Sequence, residues 1–182
     1  MAGNKRDGLL GLDEIAPLLD ASKRKLAVVK RGDEACGSGL ALVFKEDEKV
    51  KAWVAKMLPM PFKPEEFGPS TTIGIKDATT GKMIAGAVYH RWRGFDCELT
   101  FAASSPRWCR KGVLAALFNY PFEQRGCTRM TLIIGSNNKR AIKLNLGLGF
   151  KLEGIARRAY DGHNDAWVLG MLREECKWIR RH

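Results

Sequence analysis

Asp96-Cys97-Glu98-Leu99-Thr100-Phe101-Ala102-Ala103-Ser104-Ser105-Pro106-Arg107-Trp108-Cys109-Arg110-Lys111-Gly112-Val113-Leu114 is the stretch on which the fold turns. Its alternating first part predicts a strand. The proline and the short basic loop with one glycine predict a turn, and the apolar, helix-forming run that continues to Phe118 predicts a helix. The first backbone N–H groups of a helix have no partner inside it and point at whatever lies beyond its N-terminus. An anionic phosphate suits that place, and Arg110 and Lys111 add positive charge beside it. Taken alone, the loop is explained equally well as ordinary solvated backbone.

Reading outward, Asn138, Ala141, Leu144, Gly149-Phe150 and Glu153-Gly154 follow downstream. The combined spacing is Pro-x5-Gly, then Asn-x2-Ala-x2-Leu-x4-Gly-Phe-x2-Glu-Gly, and it resembles the GNAT superfamily of acyl-CoA-dependent N-acetyltransferases. The tail Glu153-Gly154-Ile155-Ala156-Arg157, with Gly162, Asp165 and Met171-Leu172-Arg173-Glu174-Glu175, looks most like the RimJ/RimL-type branch, which acetylates ribosomal-protein N-termini and similar amines. The resemblance covers roughly residues 70–175.

That resemblance implies an α/β fold: a mixed, mostly antiparallel sheet of about six to seven strands, flanked by helices, with a splayed central strand pair. It implies acetyl-CoA as acyl donor. The backbone of Phe101, Ala102, Ala103 and Ser104 would pair with the pantetheine arm, and the loop Cys109, Arg110, Lys111, Gly112, Val113, Leu114 would hold the pyrophosphate through N–H groups. Asn138 would sit near the reacting end. The chain departs from the family pattern at Cys109 (usually Gln or Arg), at Arg110 (usually the first glycine) and at Leu114 (usually Gly or Ala). Asn145 stands where many members carry a Tyr acid, and it is counted among the cofactor contacts.

The implied reaction is attack by an amine on a thioester, which needs a group to take the amine's proton. Glu98 is the base candidate, against the plain alternative of a strand carboxylate; Ser104 could hold the thioester oxygen or satisfy the turn; Tyr160 is a substrate-contact candidate in the closing hairpin. The expected activity is transfer of an acetyl group to a primary amine. Two other readings stay open: a catalytically degenerate binding or structural module on nucleic acid or in a larger assembly, and a phage-type relative that modifies a nucleobase amine.

A length of 182 residues suits one domain, read here as an arm or peripheral helix over residues 1–35 and an acyltransferase-like domain over 36–182. No stretch approaches the ~20 apolar residues that span a bilayer, so no membrane partner and a cytoplasmic location are expected. The five cysteines show no metal-ligand spacing, so reduced thiols and no metal are expected. His90, His163 and His182 lack a spaced Asp and Ser and are read as structural.

The net charge of +11 is uneven: residues 1–100 hold 16 Lys+Arg against 14 Asp+Glu (+2), and residues 101–182 hold 15 against 6 (+9). The excess travels with the proposed phosphate site, and it would attract a nucleotide cofactor or nucleic acid alike. A monomer or homodimer is expected.

Local patterns outside the central stretch predict strands at 39–44, 71–76, 83–91, 129–134, 150–153 and 166–172, and helices at 46–57, 112–123 and 138–146, with Pro121 ending or bending the second of these near Tyr120. A loop over 58–69 and a basic terminal helix over 173–181 complete the expectation.

Overall fold

The computed structural model describes residues 39–179 and the backbone of residues 34–36. The strands are β1 (Glu34–Cys36), β2 (Leu40–Val43), β3 (Thr71–Asp77), β4 (Met83–His90), β5 (Asp96–Ala103), β6 (Arg129–Gly135), β7 (Lys151–Ala156) and β8 (Ala166–Leu172). The helices are α1 (Asp47–Met57), α2 (Lys111–Asn119) and α3 (Lys139–Leu148). One sheet holds all eight strands in the order β1-β2-β3-β4-β5-β6-β8-β7, and every neighbouring pair is antiparallel except β5 with β6. The count exceeds the expected six to seven because Glu34–Cys36 adds an edge strand through main-chain pairing, which needs no side-chain pattern. The rest of the arm expected over residues 1–35 lies outside the described residues.

Alternation sorts the sheet residues between two layers. Val88 and Ala102 face α1 and join Val50, Val54, Ala55 and Phe67, whereas Ala87, Tyr89, Leu99, Met130 and Leu132 face α2 and α3 in the larger core. The α1 side is close-packed because β4 carries Gly86: a Cβ there would stand 2.7 Å from Val54 Cγ2. Asp47, in the first turn of α1, ties the helix down by accepting from the Thr72 N–H at 2.7 Å and its hydroxyl at 2.9 Å.

Helix α3 begins where the Asn138 Oδ1 accepts from the Ala141 N–H at 3.1 Å, and ends on Gly149 at φ 113°, a left-handed turn that glycine adopts without strain. Helix α2 does not simply stop at Pro121. It runs on into one wider π-helical turn, Tyr120–Gln124.

The expected terminal helix over 173–181 is absent from the described residues. Arg173–Glu175 is a single 3-10 turn, after which the chain folds back on the body. Cys176 is buried there, and the Trp178 indole N–H donates to the Leu148 carbonyl at 2.8 Å, capping the end of α3. Docking of these two side chains overrides the helical pattern of the segment.

Candidate active site

The parallel pair β5/β6 is joined only at Asp96↔Arg129, Cys97↔Met130 and Glu98↔Thr131. Beyond Glu98, β5 continues on β4 as far as Ala85↔Ala103, and β6 continues on β8 as far as Gly135↔Ala166, so the two strands part. The vertex is held by buried Asp96, which accepts from the Thr131 hydroxyl at 3.1 Å and from Arg93 Nη2 at 2.7 Å. A cleft of about 520 Å³ opens at the fork. Among the described residues, the edge of β5 over 99–103 faces it without a strand partner on that side.

Glu98 lies at the vertex, buried but lining the cleft. Arg91 Nη1 donates to its Oε2 at 3.2 Å, and His90 Nε2 is 3.8 Å from its Oε1 and 2.9 Å from the Thr100 hydroxyl. Antiparallel pairing explains the grouping: His90 is directly opposite Glu98, and Thr100 shares their face. The His90 Nδ1 is buried with no hydrogen-bond partner among the described residues.

Burial, aided by the Arg91 cation, lowers the His90 imidazole to about 4, so the ring is neutral at physiological pH. An unfolded histidine takes up its proton near pH 6.5, so the unfolded chain binds the proton first as pH falls. The stability from keeping the ring neutral is therefore complete above about pH 6.5 and is lost as pH falls through about 4, to the extent of about 3 kcal/mol. Chemical denaturation across that range should show the loss in the native chain, and His90→Gln should flatten it. Equal slopes in the two would refute the assignment.

At the other end of β5 the chain passes through the 3-10 turn Pro106–Trp108 into α2. The basic loop is braced: the Ser105 hydroxyl accepts from the Arg107 N–H at 3.3 Å, Arg107 pairs with Asp77, and Arg110 Nε donates to the Arg107 carbonyl at 3.3 Å. The first bond of α2 runs from the Leu114 N–H to the Arg110 carbonyl at 2.9 Å, and no side chain caps the helix. Among the described residues no acceptor meets the N–H groups of Lys111, Gly112 and Val113.

The sequence candidates divide by position. Glu98, Phe101, Ala102, Ala103, Ser104, Leu114, Asn138, Asn145 and Tyr160 all line the cleft; Cys109, Arg110, Lys111, Gly112 and Val113 do not. Cys109 and Val113 are core side chains, and burial pushes the Cys109 thiol up. The loop can therefore present backbone and the Arg110 and Lys111 charges, but no thiol.

Both asparagines have structural work. Asn138 caps α3, and Asn145 Nδ2 donates to the Ala141 carbonyl at 2.8 Å. Ser104 turns its hydroxyl to the Ile84 carbonyl at 3.3 Å. Tyr160 lies against Gly135, where a Cβ would come within 2.5 Å of its ring.

Sequence reasoning missed His90, Arg91 and Thr100, which gather around Glu98, and the apolar wall of Met60, Phe62 and Phe67 above it. The signal was available in principle. A ladder centred on residue 94 pairs residue 90 with residue 98, but that centre is set by the tight turn that the Arg93 N–H closes onto the Asp96 carbonyl. Among the described residues no cluster of His, Cys, Asp and Glu could hold a metal ion, and no helix is long and apolar enough to cross a membrane.

An open mixed sheet, forked at the one parallel pair among the described strands and flanked by helices on both faces, is the GNAT fold, and solved structures that it matches include N-acetyltransferases. One is the dodecameric spermidine N-acetyltransferase from Vibrio cholerae, with a TM-score of 0.61 at 14% identity, covering 76% of this chain and 96% of that one. Another is a ribosomal-protein-alanine acetyltransferase from Vibrio fischeri, with a TM-score of 0.57 at 13% identity, covering 77% of this chain and 96% of that one. At such identities the likeness establishes the fold. No protein-family model and no curated protein sequence matches the chain.

Proposed function

We propose that this protein is an N-acyltransferase that moves an acetyl group from acetyl-CoA to a primary amine. The observation that carries the reading is the fork of β5 and β6 at Glu98, which leaves a strand edge unpaired along a cleft and a carboxylate at its vertex. The residues present fit a nucleotide-linked thiol. The free edge of β5 offers main-chain groups to an extended amide arm, and the unpaired N–H groups of Lys111, Gly112 and Val113, with the charges of Arg110 and Lys111, suit phosphate.

Acetyl-CoA bound there supplies a thioester carbonyl, whose C–S bond breaks as the C–N bond to the amine forms. Glu98 takes the proton that the amine nitrogen gives up. Arg91 holds that carboxylate in place, and the neutral His90 packs beside it without bonding to it. Asn145 has no acidic proton to give, so the sulfur departs as a thiolate and is protonated after it leaves the carbonyl. The N-acetyltransferases among the similar structures agree with this chemistry.

Thermal unfolding with and without acetyl-CoA tests the reading. Ligand at 100 times its Kd adds about 2.7 kcal/mol, which raises Tm by about 5 °C or more in a chain of this size. Acetate alone should do nothing. Lys111→Glu, which turns the exposed charge beside those N–H groups negative, should abolish the shift while leaving the circular dichroism spectrum unchanged. No shift at millimolar acetyl-CoA would end the proposal.

A further inference from the structure

We infer that the acceptor is a primary amine carried on an apolar body with no second cationic group, seated against the wall that the loop after α1 places over Glu98; this deepens the acyltransferase reading and rests on it. The charge of the lining is the first observation. Among the described residues around the cleft, one carboxylate, Glu98, stands against two guanidinium groups, Arg91 and Arg140, and Arg91 already engages Glu98 at 3.2 Å. The neutral His90 adds no charge. Each further ammonium group that a polyamine brings into a cleft is costly to bury without an anionic partner, and beyond Glu98 this lining offers none.

The second observation is a continuous apolar path. Met57, 42% exposed, and Met60 stand at the mouth. Phe62 and Phe67 follow with ring centroids 4.6 Å apart, and Phe67 meets the His90 ring edge-on at 5.4 Å. His90 faces Glu98 across the β4/β5 ladder. An amine nitrogen at Glu98 therefore has its carbon body on methionine and phenylalanine, side chains that adapt to an aryl or branched alkyl group.

The test follows free-thiol release by the full chain with acetyl-CoA and four amines: phenethylamine, methionyl-leucine amide, ethanolamine and spermidine. One of the first two should exceed both of the others at least about tenfold in kcat/KM, as expected when an apolar body fills an apolar pocket. Which of the two leads separates a small amine from a peptide N-terminus as the source of this chemistry. Phe62→Glu should raise spermidine relative to phenethylamine by about tenfold, because it supplies the missing carboxylate.

Spermidine equal to or better than the apolar amines, or all four within about threefold, would overturn the inference. So would no turnover of any amine by a protein that acetyl-CoA does stabilise, with the nucleotide site left standing. No stabilisation by acetyl-CoA would remove the acyltransferase reading itself, and this inference with it.

Discussion

Glu98→Gln should lower amine acetylation by at least about 100-fold while the acetyl-CoA-dependent rise in Tm persists, because a positioned general base contributes about 10²–10⁴ in rate and the nucleotide contacts lie elsewhere. The substitution keeps the shape of the side chain and can still accept a hydrogen bond from Arg91, whose Nη1 lies 3.2 Å from the native carboxylate. It removes the carboxylate's charge and with it the capacity to take a proton. Steady-state kinetics at saturating acetyl-CoA would read the effect in kcat, since the loss is confined to the step in which the proton moves. A variant that keeps its rate within about threefold would show that Glu98 merely anchors the vertex of the fork, and the base would have to be sought elsewhere along the cleft.

The largest stability effect should come from Phe122→Ala, at about 3–5 kcal/mol in chemical denaturation. Phe122 is 1% exposed and stacks on Phe118 with ring centroids 6.5 Å apart; Phe118 in turn contacts Phe150 and Trp178. The residue reaches that cluster because the helix widens at Tyr120–Gln124 instead of stopping. Pro121 has no N–H for the Leu117 carbonyl four residues before it, and the buried Tyr89 hydroxyl takes that role, donating at 2.7 Å. Truncation at 122 empties the pocket under α2, whose N-terminus is the proposed phosphate site, so weaker acetyl-CoA binding should accompany the loss. A cost below about 1 kcal/mol would mean that the aromatic cluster closes without this ring.

The architecture was legible because it is written in short-range patterns. Strand β5 announces itself by alternation, α3 by the Asn138 cap and the Gly149 stop, and the hairpins by their turn residues. Each of these depends on neighbours within a few positions. The site was half legible for the same reason: Glu98, Asn138 and the glycine loop stand at recognisable spacings, whereas His90 looked like an isolated histidine.

By itself, then, the chain's sequence determined the order of most of its elements and the strand-turn-helix unit around residues 96–118, since these follow from periodicity, turn chemistry and capping, while the fork and the carboxylate at it were what the family resemblance implied. Only the tertiary structure decided that His90 sits opposite Glu98, that Cys109 is sealed in the core rather than offered to a ligand, and that Cys176 and Trp178 pin the end of the chain to α3 in place of a helix. Register across a sheet and burial against a distant element arise from contacts between residues far apart in sequence, and the free energy of those contacts exceeds the small local preferences that a pattern records.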